Sequence, residues 1–319
     1  MGSRTASGNR GLGSRLPRKD LPGASSDALS DYSKQLRMAP LAPASRAKYL
    51  SRVRGFLAWL ANSDASGDPL NDGAARDWAV RDYRRHLKVV RKAAATTINN
   101  TLAAMGDFYT RRGLGPAAAR REDPPPRDAP RALSNQQARR FLRMVDQEPS
   151  MRNKVMALLP YYAGLRIGEV VGLDVDDIAI SARKGQMRVL GKGRDGGKVR
   201  SVPIHAELRP RLQAWLTERR SWRGAEATPA LLLNARGGRI SDRYAREIIE
   251  GLGRLAGFEA DRADPFGPHV LRHTFGTQLV RGGVDLVPVA ELMGHARLDT
   301  TRIYTLPTKA DREAPWTPC

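Results

Sequence analysis

Near its C-terminal end, the sequence places a histidine nine residues before a tyrosine, in the stretch GHARLDTTRIY. These residues are His295 and Tyr304. A tyrosine hydroxyl can act as a nucleophile if a base or a strongly positive site removes its proton, because the phenol pKa is about 10. A lone tyrosine close to a chain end is ordinarily structural. The other reactive side chains of the sequence must therefore decide between the two interpretations.

Two earlier stretches carry charged side chains at short spacing. GLRIGE contains Arg166 and Glu169, three residues apart after an apolar segment. In GKGRDGGKVRSVPI, Lys192 stands between two glycines, a pattern typical of a tight hairpin turn that could bring the ammonium group near a ligand. Taken alone, the first stretch reads as a helix-surface pair and the second as a solvated turn lysine.

A third stretch, GPHVLRHTFGTQLV, contains two histidines and an arginine. His269 and His273 are four residues apart, a spacing compatible with a metal pair on a helix. No glutamate follows His269 as it does in zinc proteases, and no carboxylate cluster stands nearby, so we predict no metal site. His269 and Arg272 would share a helix face. We expect His273 to lie elsewhere on the helix, with a structural role.

Taken together, these motifs resemble the tyrosine recombinase, or phage integrase, family. GLRIGE, GKG…RSVPI, PHVLRHTFGT and LMGHARLDTTRIYT follow one another in the family's order, and the resemblance covers about residues 132–306. The resemblance implies that Tyr304 is the nucleophile and that His295 lines the pocket around the scissile phosphate. It implies the following further roles: Arg166 and Arg272 gripping the phosphate, Lys192 as general acid, His269 as general base, and Glu169 orienting a neighbouring side chain.

The same resemblance implies a site-specific DNA recombinase that cuts and rejoins DNA through a 3′-phosphotyrosyl intermediate, without metal or cofactor. Such an enzyme would act as a tetramer on two DNA sites, in the integration and excision of a mobile element or in the resolution of replicon dimers. The sequence identifies no accessory or directionality factor. Two alternatives stay open: a type IB topoisomerase-like nicking and closing enzyme, and a DNA-binding protein without catalysis.

The composition agrees with a nucleic-acid partner. The 319 residues carry a net charge of +21 and give a pI of about 10.9, a balance that suits a polyanion and is too basic for an ordinary metabolic enzyme. The single cysteine, Cys319, excludes disulfide scaffolding and cysteine-built metal sites. The N-terminus lacks the apolar segment of a secretory signal, and no apolar run is long enough to span a bilayer. We expect a soluble, cytoplasmic protein that is associated with the bacterial nucleoid when it is on DNA.

Apolar residues recur at helical spacing between residues 27 and 112, which predicts four short helices in a small bundle. The predicted apolar stripes include Val53, Phe56 and Leu57, then Tyr83, Leu87 and Val90, then Leu102, Met105 and Tyr109. Basic residues occupy other faces of these helices and are candidates for DNA contact: Arg46, Lys48, Arg52, Arg81, Arg84, Arg85 and Lys88.

The chain divides into segments of different composition. Residues 1–26 are rich in Gly, Ser and Arg and are expected to form a flexible basic tail. Residues 113–131 contain five prolines and predict a stiff linker. Residues 132–319 predict a mostly helical domain, opened by a capping box from Ser134 to Gln137, with about three short strands before residue 206.

These elements give the expected fold class: mainly α with a small β-sheet. The resemblance implies a helical core-binding (SAM-like) bundle followed by an α+β tyrosine recombinase catalytic domain. Fifteen residues follow Tyr304 and include three prolines, which leaves room for about two helical turns. We therefore expect no long C-terminal helix to dock on a neighbouring protomer. We also expect no separate arm-binding domain, which favours a simple recombinase.

Overall fold

The computed structural model describes residues 21–64, 67–124, 131–181, 183–191, 197–258, 265–295 and 299–306. It divides the chain into two compact units, residues 1–126 and 127–319. Lys192, residues 1–20 of the predicted basic tail, and the three prolines that follow Tyr304 lie outside the described residues. Among the helices in the described ranges, none combines the length and apolar character needed to cross a membrane.

The first unit contains the four predicted helices. Their bounds are α1 Gly23–Met38, α2 Pro43–Leu60, α3 Gly73–Val89 and α4 Ala95–Arg111. Phe56, Leu57, Met105 and Phe108 are fully buried between them, as the helical spacing of apolar residues predicts. Two boundaries differ from the sequence prediction. Helix α1 begins at Gly23, so residues 23–26 are helical and not part of a tail. Val90 follows the last residue of α3 and is 66% exposed, so it does not belong to the core.

The predicted linker is fastened to this unit over much of its length. Arg76 donates hydrogen bonds to the carbonyl oxygens of Leu114 and Gly115, and Asp77 accepts one from the Ala118 amide. Further along the same segment, Glu122 forms ion pairs with Arg84 and Lys88 of α3. Residues 114–122, which we call the strap, therefore pack on the helical unit, although they fall within the segment 113–131 that the sequence predicts to be a linker.

The second unit consists of helices around a small antiparallel sheet. The bounds of its elements are α5 Asn135–Gln147, α6 Met151–Ala163, α7 Ile167–Gly172, β1 Ile178–Ile180, β2 Gly185–Leu190, β3 Val199–Pro203, α8 Leu208–Arg219, α9 Asp242–Leu255, α10 Pro268–Arg281, α11 Leu286–Met293 and α12 Asp299–Arg302. A single 3₁₀ turn, Ile303–Thr305, follows α12. The capping box of Ser134 and Gln137 forms as predicted.

Helix α6 lies at the centre of this unit. Val155, Met156, Leu158 and Leu159 are all buried, so the helix is covered on every side. It ends at Gly164, whose backbone has φ 60° and where a side chain would collide with Phe275 of α10. Because Gly164 has no side chain, α10 can approach the end of α6 closely. This approach places the α10 side chains at the site described below.

The three predicted strands form a sheet in the order β1-β2-β3, with both neighbouring pairs antiparallel. Val189 pairs with Arg200, and Met187 pairs with Val202. Because side chains alternate along a strand, Arg200 and Val202 point to the same face, the one that Val202 buries against the core. The sheet thus directs an arginine into the interior of the unit.

Candidate active site

Arg272 occupies the buried middle of α10. Its side chain is 5% exposed. One guanidinium nitrogen, Nη1, donates to the carbonyl oxygen of Gly164, and the other, Nη2, donates to that of Met293 at 2.6 Å. Burial, followed by the positive charge of Arg166, lowers the pKa of Arg272 to about 10, so it still carries its charge at neutral pH. The two carbonyl contacts hold this buried cation so that it points at the end of α11.

Arg166 and Glu169 form a reciprocal cap at the start of α7. The Glu169 carboxylate accepts from the Arg166 backbone amide at 2.8 Å and from its guanidinium at 3.0 Å. The Arg166 guanidinium also donates to the carbonyl oxygen of Gly294 at 3.3 Å. The interpretation of this pair as a helix-surface contact is therefore wrong, because the pair joins α7 to the end of α11 and the Glu169 side chain is 4% exposed.

Arg200 of β3 is a member of this cluster that the sequence analysis did not single out. Its Nη1 and Nη2 donate to the two oxygens of Glu169 at 3.1 and 2.9 Å, and its Nε donates to the carbonyl oxygen of Leu292 at 2.8 Å. The alternation of Arg200, Val202 and Ile204 in KVRSVPI was the available signal, since it puts the arginine on the buried face of a strand.

The carboxylate of Glu169 is thus shared by three guanidinium groups. Arg272 Nη1 lies 3.7 Å from Glu169 Oε2, in addition to the pairs with Arg166 and Arg200. Burial alone would raise the pKa of Glu169, but the hydrogen bonds from Arg200 and from the Arg166 backbone outweigh burial and hold that pKa below its usual value. Three cations around one anion leave an excess of positive charge, which suits an anionic ligand such as phosphate.

His295 follows the left-handed Gly294 at the end of α11. Its Nε2 lies 3.0 Å from Arg272 Nη2, and its Nδ1 lies 2.8 Å from the hydroxyl of Thr301. Because a guanidinium can only donate, Nε2 must accept, and the ring proton therefore resides on Nδ1. Burial, followed by the charges of Arg272 and Arg166, lowers the pKa of His295 to about 4, so the ring is neutral at physiological pH.

Tyr304 lies in the 3₁₀ turn after α12 and is 5% exposed. Its ring packs with Val289 and Met293 of α11, and lies nearly parallel to the His295 ring, with centroids 6.1 Å apart. Burial raises the pKa of the Tyr304 phenol, and the positive charges of Arg272 and Arg166 offset only part of that increase. The hydroxyl is therefore protonated at neutral pH and needs a proton acceptor before it can attack.

The nearest acceptor in the described residues is His273, whose Nδ1 lies 3.2 Å from the Tyr304 hydroxyl oxygen. His273 was expected to lie elsewhere on the helix with a structural role, but the structure places it beside the Tyr304 hydroxyl. The face of α10 that carries His273 is covered by the 3₁₀ turn Ile303–Thr305, which α11 supports, and local spacing along the chain could not reveal this packing. His269, predicted to be the base, is exposed in the first turn of α10.

His269 also lines a cavity of about 270 Å³ together with Arg166, Glu169 and Gly191. Gly191 directly precedes Lys192, and the Gly191 amide donates to the carbonyl oxygen of Lys198. The structure thus brings together Arg166, Glu169, Arg272, His295 and Tyr304, with His269 on the rim. No group of three or more His, Cys, Asp or Glu side chains in the described ranges is arranged to hold a metal.

A buried tyrosine hydroxyl beside a neutral histidine, next to a cluster of arginines, defines a class of protein: a phosphoryl-transfer enzyme with a tyrosine nucleophile. The comparisons identify the family. The model of the phage integrase family matches residues 131–311. The chain belongs to this family and is a tyrosine recombinase, an enzyme that cleaves and rejoins DNA through a tyrosine intermediate.

The similarity extends beyond the family domain. The chain is 37% identical over 273 residues to the tyrosine recombinase XerC of Mycobacterium tuberculosis (strain CDC 1551 / Oshkosh), covering 82% of this chain and 87% of the relative. It is 40% identical over 237 residues to XerC of Mycobacterium sp. (strain KMS), covering 69% and 76%. These relatives favour site-specific recombination over a topoisomerase-like or non-catalytic role.

Solved structures confirm the fold. The XerH site-specific recombinase bound to its difH substrate superposes with a TM-score of 0.67 at 20% identity, covering 94% of this chain and 90% of that one. The predicted fold class, mainly helical with a small sheet, is therefore confirmed.

Proposed function

We propose that Tyr304 is the nucleophile of a site-specific recombination reaction. Its oxygen attacks the phosphorus of a scissile phosphodiester, a 3′-phosphotyrosyl bond forms, and the bond to the 5′ oxygen breaks. The observation that carries the proposal is the placement of the Tyr304 hydroxyl beside a neutral imidazole and next to the buried guanidinium cluster. The covalent bond conserves the energy of the phosphodiester, so a 5′-hydroxyl from another strand can reverse the step without ATP.

Arg166 and Arg272 are proposed to bind the non-bridging oxygens of the phosphate. Both guanidinium groups are already fixed by backbone carbonyls, so they lose little freedom when an anion arrives. Fixed cations also stabilise the additional charge of the pentacoordinate transition state. Glu169 supports this role because its carboxylate holds the two guanidinium groups at one place.

The remaining roles concern protons. The family resemblance gives Lys192 the role of general acid that protonates the leaving 5′ oxygen, and gives His269 the role of base for Tyr304. His295 is proposed to hydrogen-bond the phosphate. Its Nε2 now accepts from Arg272, so donation to a phosphate oxygen requires that the ring take up a proton or transfer one from Nδ1. Each group of this kind contributes roughly 10²–10⁴-fold to the rate.

The relative XerH was solved with difH, its DNA substrate. We propose that this chain likewise acts on a pair of specific double-stranded DNA sites. Exchange between two duplexes requires four strand cuts, and each protomer supplies one tyrosine, so the active assembly is proposed to be a tetramer. Integration and excision of a mobile element, and resolution of replicon dimers, both use this reaction.

For DNA contact in the helical unit, we propose that the cations without a partner are the best candidates. Lys48, Arg52 and Arg85 have no hydrogen-bond or ion-pair partner within the part of the chain that the structure describes. Arg46, by contrast, donates to the carbonyl oxygen of Ala39, and Arg81 donates to that of Ala118. Arg84 and Lys88 pair with Glu122, as described above. We propose that the unpartnered group makes the main phosphate contacts and that binding weakens steeply with salt.

The test is covalent capture. A pool of nicked duplexes that includes the DNA flanking the gene is mixed with the protein, because a nick lets the short fragment leave and strands the covalent complex. Denaturing gels detect the protein–DNA adduct, and mass spectrometry maps the modified peptide. We expect an adduct on Tyr304 that is absent from Tyr304→Phe. An adduct that persists in Tyr304→Phe, or maps to another residue, would overturn the proposal.

A further inference from the structure

We propose that His273 positions the Tyr304 hydroxyl and receives its proton when Tyr304 attacks the phosphate. The inference rests on the proposed role of Tyr304 as nucleophile and assigns the base to His273 rather than to His269. In the step, the Tyr304 O–H bond breaks, an N–H bond forms at His273 Nδ1, and the phenolate oxygen bonds to phosphorus. The leaving 5′ oxygen takes its proton from the general acid, and the reverse step returns the proton from Nδ1 to Tyr304.

The geometry supports direct transfer. His273 Nδ1 and the Tyr304 oxygen are 3.2 Å apart, and the two rings meet at 54° with centroids 5.6 Å apart. A general base must lie within roughly 2.6–3.2 Å of the atom whose proton it takes, and this contact is at that limit. Tyr304 is buried, so bulk water does not compete for its hydroxyl. When the phenol donates, Nδ1 must be unprotonated, which places the ring proton on Nε2.

The groups around His273 keep its imidazole ring neutral, so that the ring can accept a proton. The titratable and charged groups around His273 are His269 and Arg272 of α10, His295 after α11, and Tyr304. Burial, followed by the charges of His269 and Arg272, lowers the pKa of His273 to about 4, so the imidazole is neutral at physiological pH. An imidazolium here is unfavourable until an anion arrives. A bound phosphate supplies that anion, so proton transfer becomes favourable only when DNA occupies the site.

His273→Asn and His273→Gln separate positioning from proton transfer. An asparagine amide lies where Nδ1 lies, so His273→Asn retains a hydrogen bond to Tyr304 but cannot accept a proton. A glutamine amide reaches the place of Nε2 and loses the contact. Single-turnover cleavage of a saturating nicked duplex is measured from pH 5 to 9 for the full-length wild type, both variants and His269→Gln.

We expect both His273 variants to bind DNA normally and to cleave roughly 10²–10⁴-fold more slowly. The bound phosphate anion raises the pKa of His273 above its DNA-free value, so the wild-type rate should rise with pH and then level off. This rise should disappear in His273→Asn and remain in His269→Gln. Near-wild-type cleavage by His273→Asn, or loss of the rise only in His269→Gln, would overturn the assignment. Tyr304→Phe is measured in the same experiment. A covalent adduct in that variant would contradict the role of Tyr304 as nucleophile, independently of the role of His273.

A second measurement needs no substitution at His273. Two-bond ¹H–¹⁵N spectra of the wild-type protein with labelled histidine report which ring nitrogen carries the proton. The signals of His86, His205, His269 and His295 can be assigned from their own variants, which leaves that of His273. We expect His273 with its proton on Nε2 and a free Nδ1 at pH 7. A proton on Nδ1 would contradict the proposal.

Discussion

Arg200 on β3 and Glu169 on α7 form a buried ion pair with two parallel hydrogen bonds, 31 residues apart in the sequence. The pair ties the sheet to the helix that carries Arg166. It also fixes the carboxylate that Arg166 and Arg272 share. The geometry of the phosphate-binding cluster therefore depends on a residue that need not touch DNA.

Arg200→Ala should destabilise the protein and impair cleavage. It removes two hydrogen bonds from the buried Glu169 carboxylate, which keeps Arg166 and Arg272 as partners, and loss of a hydrogen bond to a charged group costs about 1.5–3 kcal/mol. Thermal unfolding and single-turnover cleavage measure the two effects. Arg188→Ala is the matched control, because Arg188 lies on the neighbouring strand and its side chain is 69% exposed in a pair with Asp177. Such surface pairs contribute at most about 1 kcal/mol. Equal losses in the two variants would contradict the prediction.

The two partly buried histidines, His273 and His295, should make the protein less stable in mild acid. The pKa values of His273 and His295 are lowered from 6.5 to about 4 in the folded state. Between these values the unfolded chain binds more protons, so stability is fully present above pH 6.5 and is lost as the pH falls toward 4. The melting temperature, measured from pH 7.5 to 4, should fall less steeply in His273→Asn/His295→Asn. His205→Asn, at an exposed position, should retain the wild-type slope. Identical slopes in all three proteins would refute the assignment.

Gly276→Ala should displace the nucleophile without removing it. A methyl group at this position would lie 2.8 Å from Tyr304 Cζ and 2.9 Å from Met293 Sδ, closer than packed atoms tolerate. Overpacking of this kind costs about 1–3 kcal/mol and shifts the ring. We expect cleavage to fall by at least about 100-fold, since small misplacements of reacting groups have effects of that size. Gly251→Ala on α9, where the methyl group meets only Arg254 at 3.6 Å, should cleave normally. Wild-type cleavage by Gly276→Ala would show that Tyr304 does not react from this position.

Glu122→Gln should loosen the strap on α3. The Glu122 side chain is 12% exposed and accepts from Arg84 Nε at 2.8 Å and Lys88 Nζ at 2.7 Å. Loss of these contacts is expected to cost about 1 kcal/mol, between a surface ion pair and a buried charged hydrogen bond. That free-energy change corresponds to an increase of about fivefold in the population of molecules whose strap is detached from α3.

Limited trypsin digestion reports this detachment, because cleavage after Arg120 and Arg121 tracks the open population. The neighbouring substitution Asp123→Asn makes the same charge change at a carboxylate that is 92% exposed and pairs only loosely with Arg120, at 3.5 Å. It should leave the cleavage rate unaltered. Faster cleavage in both variants would mean that net charge, and not the Glu122 contacts, holds the strap.

Local patterns in the sequence determined the secondary structure, the fold class and the identity of most site residues. Helical spacing located α1 to α4, alternation located the strands, and the Ser134–Gln137 pattern located the start of α5. These signals depend on neighbouring residues along the chain, so they can be read without the fold. The order of the four motifs also indicated that Arg166, Arg272, His295 and Tyr304 belong to one site.

The tertiary structure decided which side chains meet. The contact between His273 and Tyr304 joins residues 31 apart, and that between Glu122 and Arg84 joins residues 38 apart. A helix offers several faces, and only the packing of α11 and of the 3₁₀ turn Ile303–Thr305 places the nucleophile against the His273 face of α10. In the same way, only the antiparallel register of β3 directs Arg200 inward to Glu169. Such choices depend on the packing of distant segments, which spacing along the chain does not specify.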